Sequence, residues 1–211
     1  GTNIASGSAI IIDTTAPTVI SFTSTTADGS YKSAGTVNIT ATVSETIVSG
    51  NTITVTLDTS DNVTLTAAAN GTTLVGTYTV SSGDTSSDLN VSSFSIGTVT
   101  DSAGNAMTST TVPATNIATG SAIVIDNTVP TIISFTSTTA DGSYKSTGTV
   151  NITATASEAV VSGNTITVTL DTSDNVSLTA AANGTTLVGT YTVSSADTSS
   201  DLTVNSFSIG T

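Results

Sequence analysis

The sequence contains no cysteine, no tryptophan and no histidine, and only 2 of its 211 residues are basic. Without cysteine the fold has no disulfide framework, and without cysteine or histidine a metal site must use oxygen ligands. The Ser-His and Cys-His groupings of nucleophilic enzymes are excluded as well. We therefore expect a protein that is not an enzyme.

The charge is equally one-sided, with 15 acidic residues and a net charge of -13. Binding to nucleic acid or to an anionic membrane surface requires basic patches, so we expect neither nucleic acid nor direct membrane contact. No apolar run approaches the roughly 18 residues that a membrane-spanning helix needs.

What the chain has instead is an internal repeat. Residues 1–98 align without a gap with residues 114–211, and 14 of the 98 aligned pairs differ. A repeat of this length has the usual size of an independently folding domain. Residues 99–113 occur once, and the first twelve residues match the end of a repeat. We predict repeat 1 over residues 13–125 and repeat 2 over residues 126–211, truncated before its final hairpin. We predict that residues 1–12 are the last strand of a preceding repeat or a donor strand.

Period-two alternation of apolar and polar residues dominates each repeat, as in Thr36–Val43 and Thr52–Leu57, and 50 residues are threonine. Such alternation is typical of antiparallel strands with one apolar face, and threonine favours strands. The predicted strands of repeat 1 are 18–25, 36–44, 52–57, 63–68, 73–81, 89–100 and one ending in 122–125. The sequence therefore predicts an all-β fold of tandem immunoglobulin-like sandwiches of about seven strands, the second lacking its last strand.

Two further features of repeat 1 can be predicted from the apolar pattern. Between Val91 and Phe94 the apolar phase slips by one residue, which indicates a β-bulge. The predicted core consists of Phe22, Ile39, Val55, Leu65, Tyr78, Val80, Phe94 and Ile96.

Acidic residues collect at the two hinges, where Asp13 and Asp126 each precede a proline. Loops alternate between the two ends of a sandwich, so the acids of several loops should meet at each hinge. Neighbouring carboxylates repel unless a cation lies among them, and calcium takes 6–8 oxygen ligands. The predicted calcium ligands are Asp13, Glu45 and Asp101 at the first joint, and Asp126, Asn127 and Glu158 with Asp28, Asp84 or Asp88 at the second. The alternative is that these residues only form turns.

Five motifs follow one another along repeat 1. They are Asp28–Gly35, Ser44-Glu45, Ser81–Asp84 with Asp88-Leu89, Thr100–Asn105 and the hinge Ile125–Pro130. In this order they resemble the bacterial immunoglobulin-like tandem repeats of giant calcium-dependent surface adhesins. The resemblance implies a secreted, cell-surface β-sandwich extender whose joints are made rigid by calcium, with Asp13, Asp101, Asp126 and Glu45 or Glu158 as ligands. Repeat 2 departs from this pattern because it lacks a counterpart of Thr100–Asn105.

The function that we expect is therefore that of a structural extender in a large bacterial adhesin, whose partners are neighbouring repeats of the same chain. One alternative is a subunit of an extracellular filament or sheath, in which residues 2–12 are donated as a strand to a neighbouring molecule. A weaker alternative is a carbohydrate- or ice-binding module, suggested by rows such as Thr52, Thr54 and Thr56.

Overall fold

The computed structural model describes residue 4, residue 7 and residues 10–210. The chain divides into two compact units, Gly1–Asn127 (unit 1) and Thr128–Thr211 (unit 2). Both units are built from β-strands, and the helical element in the described part of the chain is the 3-10 turn Ile117–Thr119. No described helix has the length and apolar character needed to cross a bilayer.

Unit 1 contains eight strands. They are β1 (Val19–Thr23), β2 (Gly29–Tyr31), β3 (Thr36–Ile47), β4 (Thr52–Leu57), β5 (Asn62–Thr66), β6 (Gly71–Thr79), β7 (Val91–Thr98) and β8 (Ile123–Ile125). Six of them form an antiparallel sheet in the order β1-β3-β6-β5-β4-β7, and β2 pairs with β8 in parallel. The predicted all-β sandwich fold is confirmed.

The six-stranded sheet of unit 1 folds over onto itself. β5 and β6 share the single residue pair Thr66 and Val75, so the sheet bends between them. Phe22 on β1 and Phe94 on β7 belong to opposite edges of the sheet, yet their ring centroids are 5.6 Å apart. The two halves of the sheet therefore face each other across one core, in which each fully buried phenylalanine or isoleucine contributes about 1.5–3 kcal/mol.

β8 closes this core. Its Ile123 carbonyl accepts a hydrogen bond from the Leu89 amide (2.8 Å), and Ile125 exchanges two backbone bonds with Ser86. On its other side β8 runs parallel to β2. Ile123 and Ile125 are 0% and 2% exposed, because the β8 strand lies between two partners over the open side of the sandwich.

Unit 2 repeats the large sheet but not the parallel pair. Its strands are β9 (Ile132–Thr136), β10 (Thr149–Val160), β11 (Thr165–Leu170), β12 (Asn175–Thr179), β13 (Gly184–Thr192) and β14 (Val204–Ile209). The sheet order β14-β11-β12-β13-β10-β9 matches that of unit 1. Phe135 and Phe207 again meet across the core, with 5.7 Å between their ring centroids. Residues 142–144, which correspond to β2, form no strand.

Several local predictions can be compared with the strands. The bulge in β7 is present, since Thr56 pairs with Ser93 while Leu57 pairs with Val91, which leaves Ser92 unpaired. Seven of the eight predicted core side chains are buried, and Ile96 is partly buried against them. β2 forms where the sequence predicted only a turn. The predicted donor strand, residues 2–12, lies mostly outside the described residues, and its residues 10–12 are exposed and form no strand.

Candidate metal centre

Three acidic side chains meet at one end of unit 1. Asp13 precedes β1, Glu45 lies near the end of β3, and Asp101 follows β7. One carboxylate oxygen from each residue lies within 4.8 Å of the others. Asp13 is exposed, Glu45 is half-buried, and Asp101 is buried at 4% exposure. In the described part of the chain, no other group of three or more acids lies this close together.

The backbone explains why these residues converge. β3 continues three residues beyond its predicted end, and there Ile47 pairs with Asp101 while the Val48 amide donates to the Thr100 carbonyl (3.0 Å). Glu45 occupies the same phase of β3 as the buried Val43 and Ile47. An ionisable side chain therefore takes a position that the strand pattern otherwise reserves for apolar residues.

A tight turn holds the Asp101 carboxylate. Its two oxygens accept hydrogen bonds from the Asn105 amide (2.8 Å) and from Asn105 Nδ2 (2.7 Å). Gly104 has φ +94, a conformation that glycine adopts without the strain of a side chain. Asn105 Nδ2 also donates to the Asp13 carbonyl (3.2 Å), so the same asparagine ties the hinge to the turn.

Asp13 is oriented by its own turn. Its Oδ1 accepts a hydrogen bond from the Thr15 amide (3.0 Å). Further along, the Ser44 amide donates to the Thr18 carbonyl (2.9 Å), and the Thr18 amide donates to Ser44 Oγ (3.0 Å). The chain that leads into β1 is therefore fixed beside the segment of β3 that carries Glu45.

The electrostatics of the three acids differ. Desolvation, together with the charges of Asp13 and Asp101, raises the pKa of Glu45. Hydrogen bonds from Asn105 hold the pKa of Asp101 below its ordinary value. Glu45 Oε1 is inaccessible to solvent and has no hydrogen-bond partner. A carboxylate with an inaccessible, unpaired oxygen that lies close to two further carboxylates is unfavourable by itself, and a cation would stabilise the group.

The acids predicted for the trailing end of repeat 1 have other partners. Asp28 Oδ1 accepts from the Ala122 amide (2.9 Å), which secures the start of β8. Asp84 is buried at 9% exposure and accepts from Tyr78 Oη (2.6 Å). The Asp88 side chain is exposed, and its amide donates to Ser86 Oγ (3.2 Å). These three carboxylates form no three-acid cluster.

The remaining predicted ligands follow β8 or belong to unit 2. The Asp126 amide donates to the Tyr31 carbonyl (3.0 Å). Asn127 Oδ1 accepts from the Ser33 amide (2.6 Å), and its Nδ2 donates to the carbonyls of Ser81 and Asp84. Glu158 Oε1, like Glu45 Oε1, is inaccessible and has no hydrogen-bond partner. A cation shared by Asp126 and Glu158 stays a prediction.

Sequence reasoning missed an acid pair beside Tyr78. Desolvation and the neighbouring Asp84 raise the pKa of Asp61. Although desolvation opposes ionisation of Asp84, hydrogen bonds from Tyr78 and the Ser81 amide lower its pKa. Unit 2 repeats the arrangement, with Tyr191 Oη donating to Asp197 Oδ2 (2.5 Å). In unit 1 the bond from Tyr78 to Asp84 connects β6 to the loop that precedes β7.

The three carboxylates of Asp13, Glu45 and Asp101 lie close enough together that they could hold a metal ion. Carboxylate oxygens are ligands for hard cations such as Ca²⁺ and Mg²⁺. No known family model matches the chain, and no curated protein matches it either.

Proposed function

We propose that the chain is a non-catalytic extender of a large bacterial surface adhesin, and that calcium bound by Asp13, Glu45 and Asp101 stiffens the joint at the start of unit 1. The observation that carries the proposal is the Glu45 carboxylate, which clusters with two other carboxylates and has one inaccessible oxygen without a hydrogen-bond partner. The tandem repeat and the resemblance of its motifs to adhesin repeats support the same function and a location outside the cell.

The mechanism depends on which segments supply the ligands. Asp13 belongs to the chain that enters unit 1, whereas Glu45 and Asp101 belong to the sandwich itself. An ion shared by the three would fix the direction in which the preceding segment leaves the sandwich. Without the ion, repulsion among the carboxylates opposes this fixed arrangement.

Calcium fits the ligand set better than a softer ion, because the sequence contains neither thiol nor imidazole. Calcium accepts irregular geometry with carboxylate, carbonyl and water ligands, while Mg²⁺ requires near-ideal octahedral geometry. The proposal therefore predicts selectivity for Ca²⁺ over Mg²⁺.

Glu45→Gln tests the proposal, because its effect on stability should have opposite signs in chelator and in calcium. In chelator, the variant should be more stable than the wild type, because it removes the repulsion among three carboxylates. In excess calcium it should be less stable, because a neutral ligand weakens binding by about tenfold or more. Stability is measured by chemical denaturation in both buffers, and calcium affinity by calorimetry.

Asp88→Asn is the matched control, since it removes one exposed negative charge away from the cluster. It should shift stability equally in the two buffers. A variant Glu45→Gln that changes stability in the same direction in both buffers would contradict the proposal.

A further inference from the structure

Asn127 lies where the chain leaves unit 1, two residues beyond the end of β8. Its side chain is half-buried and contacts two loops from earlier parts of the sequence. Oδ1 accepts a hydrogen bond from the Ser33 amide (2.6 Å), in the turn after β2. Nδ2 donates to the carbonyls of Ser81 (3.0 Å) and Asp84 (2.9 Å), in the loop between β6 and β7. One side chain therefore joins three segments of unit 1.

The side-chain amide of asparagine matches these partners in number and type. It offers one acceptor oxygen and two N–H donors, and here they meet one backbone amide and two backbone carbonyls. Backbone bonds hold the residues just before it as well, since the Asp126 amide donates to the Tyr31 carbonyl (3.0 Å) and Ile125 exchanges two bonds with Ser86. The main chain at residues 125–127 is therefore attached to unit 1 on two sides.

Both loops that bond to this asparagine are themselves fixed to the sandwich. The Asp84 carboxylate accepts hydrogen bonds from Tyr78 Oη (2.6 Å) and from the Ser81 amide (2.5 Å), and Tyr78 is 2% exposed. In the turn after β2, the Ala34 amide donates to the Val80 carbonyl (2.9 Å). A side chain bonded to these two loops is therefore connected to the core of unit 1.

We propose that Asn127 is a clasp that fixes the direction in which the chain leaves unit 1, and that it does so without a metal ion. The residue pattern had predicted Asn127 as a calcium ligand of the second joint. The clasp goes beyond calcium-dependent stiffening and does not rest on it, because its three bonds join main-chain groups directly. The two ends of unit 1 are then held by different chemistry, and removal of calcium loosens only the end that carries Asp13, Glu45 and Asp101.

Asn127→Asp distinguishes a clasp from a calcium ligand. The substitution keeps an acceptor for the Ser33 amide, but it places an oxygen instead of a donor opposite the carbonyls of Ser81 and Asp84. As a clasp variant it should be less stable than the wild type in chelator and in saturating calcium alike. If Asn127 were a calcium ligand, the added carboxylate would strengthen binding and calcium would restore stability.

Chemical denaturation in both buffers measures this stability, and calorimetry with Asn127→Ala measures the contribution of the side chain to calcium affinity. The clasp predicts that Asn127→Ala binds calcium as the wild type does. A calcium affinity that falls by about tenfold in Asn127→Ala, as expected for the loss of a ligand, would overturn the proposal. So would an Asn127→Asp variant that is as stable as the wild type in chelator.

A spin label reports whether the chain beyond the clasp is held. Because the native sequence has no cysteine, Val129→Cys provides a single labelling position, and Val129 is 75% exposed. In chelator, adding Asn127→Ala should narrow the spectrum of the label, since its motion becomes faster. Asn127→Thr should do the same, because one hydroxyl cannot donate to two carbonyls. Threonine occupies the equivalent position of the other hinge, as Thr14. Unchanged label motion in both variants would overturn the proposal.

Amide exchange provides a matched control inside unit 1. Asn70 Oδ1 accepts a hydrogen bond from the Ser49 amide (2.8 Å), which is the same kind of bond that Asn127 accepts from Ser33. In Asn127→Ala the amides of Ser33 and Asp126 should exchange up to about tenfold faster, with Ser49 unchanged. In Asn70→Ala only the Ser49 amide should exchange faster. If Asn127→Ala leaves the exchange of Asp126 unchanged, Asn127 does not secure the exit of unit 1 and the proposal is wrong.

Discussion

At the scale of single residues, Tyr78 and two aspartates form a small polar site beside the core of unit 1. Tyr78 is 2% exposed and donates to Asp84 (2.6 Å). Desolvation, followed by the bond to Asp84, raises the pKa of Tyr78. Asp84 keeps its charge, while Asp61 beside it has the raised pKa. Of the two charges, that of Asp61 is therefore the one that the folded state disfavours.

Asp61→Asn should stabilise unit 1 at neutral pH, because it removes the charge that the folded state disfavours. The folded pKa of Asp61 lies above its unfolded value, so wild-type stability rises as pH falls toward the unfolded pKa. The advantage of the variant should therefore shrink over the same range. Urea denaturation at a series of pH values measures the difference.

Asp88→Asn again provides the control for a general change in net charge, since Asp88 is exposed. It should not reproduce the pH dependence of Asp61→Asn. If Asp61→Asn instead destabilises the protein equally at every pH, the carboxylate of Asp61 has a structural role that does not depend on its ionisation.

The residue scale also shows how far the sequence could predict the candidate site. Asp13, Glu45 and Asp101 were placed together by counting loops, and these three side chains do converge. Asn105 was missed as a site residue although it bonds to both Asp101 and Asp13. Glu45 could be singled out from the sequence, because Val43, Glu45 and Ile47 occupy alternate positions and therefore the same face of β3. Nothing in the residue pattern indicated that Tyr78 would bond to Asp84 across a loop.

At the scale of elements, the close approach of β5 and β6 depends on a glycine. A Cβ atom at Gly76 on β6 would lie 2.6 Å from the Thr64 carbonyl oxygen and 2.6 Å from Leu65 Cδ2. Gly71, at the start of the same strand, has no atom within 4 Å of the equivalent position. The bend of the sheet between β5 and β6 therefore leaves no room for a side chain at residue 76.

Gly76→Ala should destabilise unit 1 by about 1–3 kcal/mol, the range for overpacking, because backbone as well as a side chain must move. Gly71→Ala should change stability by at most about 0.5 kcal/mol, as is usual for a site outside the core where the added Cβ meets no other atom. Denaturation of both variants against the wild type measures the two effects. Equal effects at the two glycines would contradict the packing argument.

The strand pattern was predictable where alternation was regular, and less so at the strand ends. β4 matches its predicted range, since Thr52–Leu57 alternates without interruption. β3 extends beyond the prediction because the backbone pairing of Ile47 with Asp101 holds Glu45 and Thr46 in extended conformation. β2 could not be predicted because it depends on pairing with β8, a strand about 90 residues away in the chain.

At the scale of the whole molecule, two units of nearly the same sequence have unequal cores. In unit 1 the strand β8 and the residues before it complete the packing, while in unit 2 the corresponding side chains remain partly exposed. Phe94 is 6% exposed and its counterpart Phe207 is 44% exposed. The exposure of equivalent residues can therefore be compared between a sheet that is covered by β8 and a sheet of nearly the same sequence that is not.

Amide hydrogen exchange should therefore be slower in unit 1 than at equivalent positions of unit 2. For peptides from β3 and β10, which differ at few positions, we expect protection to differ by about tenfold or more, equal to about 1.4 kcal/mol of opening free energy. The measurement is made on the dilute full chain. Equal protection under these conditions would show that the missing strand adds little to stability.

The position of β8 in the chain affects the order in which unit 1 is completed during synthesis. The ribosome synthesises β1 to β7 before Ile123–Ile125, so the sandwich of unit 1 lacks its closing strand until that segment has been made. Residues 4–12, which match the closing segment almost throughout, are already outside the ribosome by then. We therefore expect residues 4–12 to compete with the later closing strand for the same position while unit 1 folds.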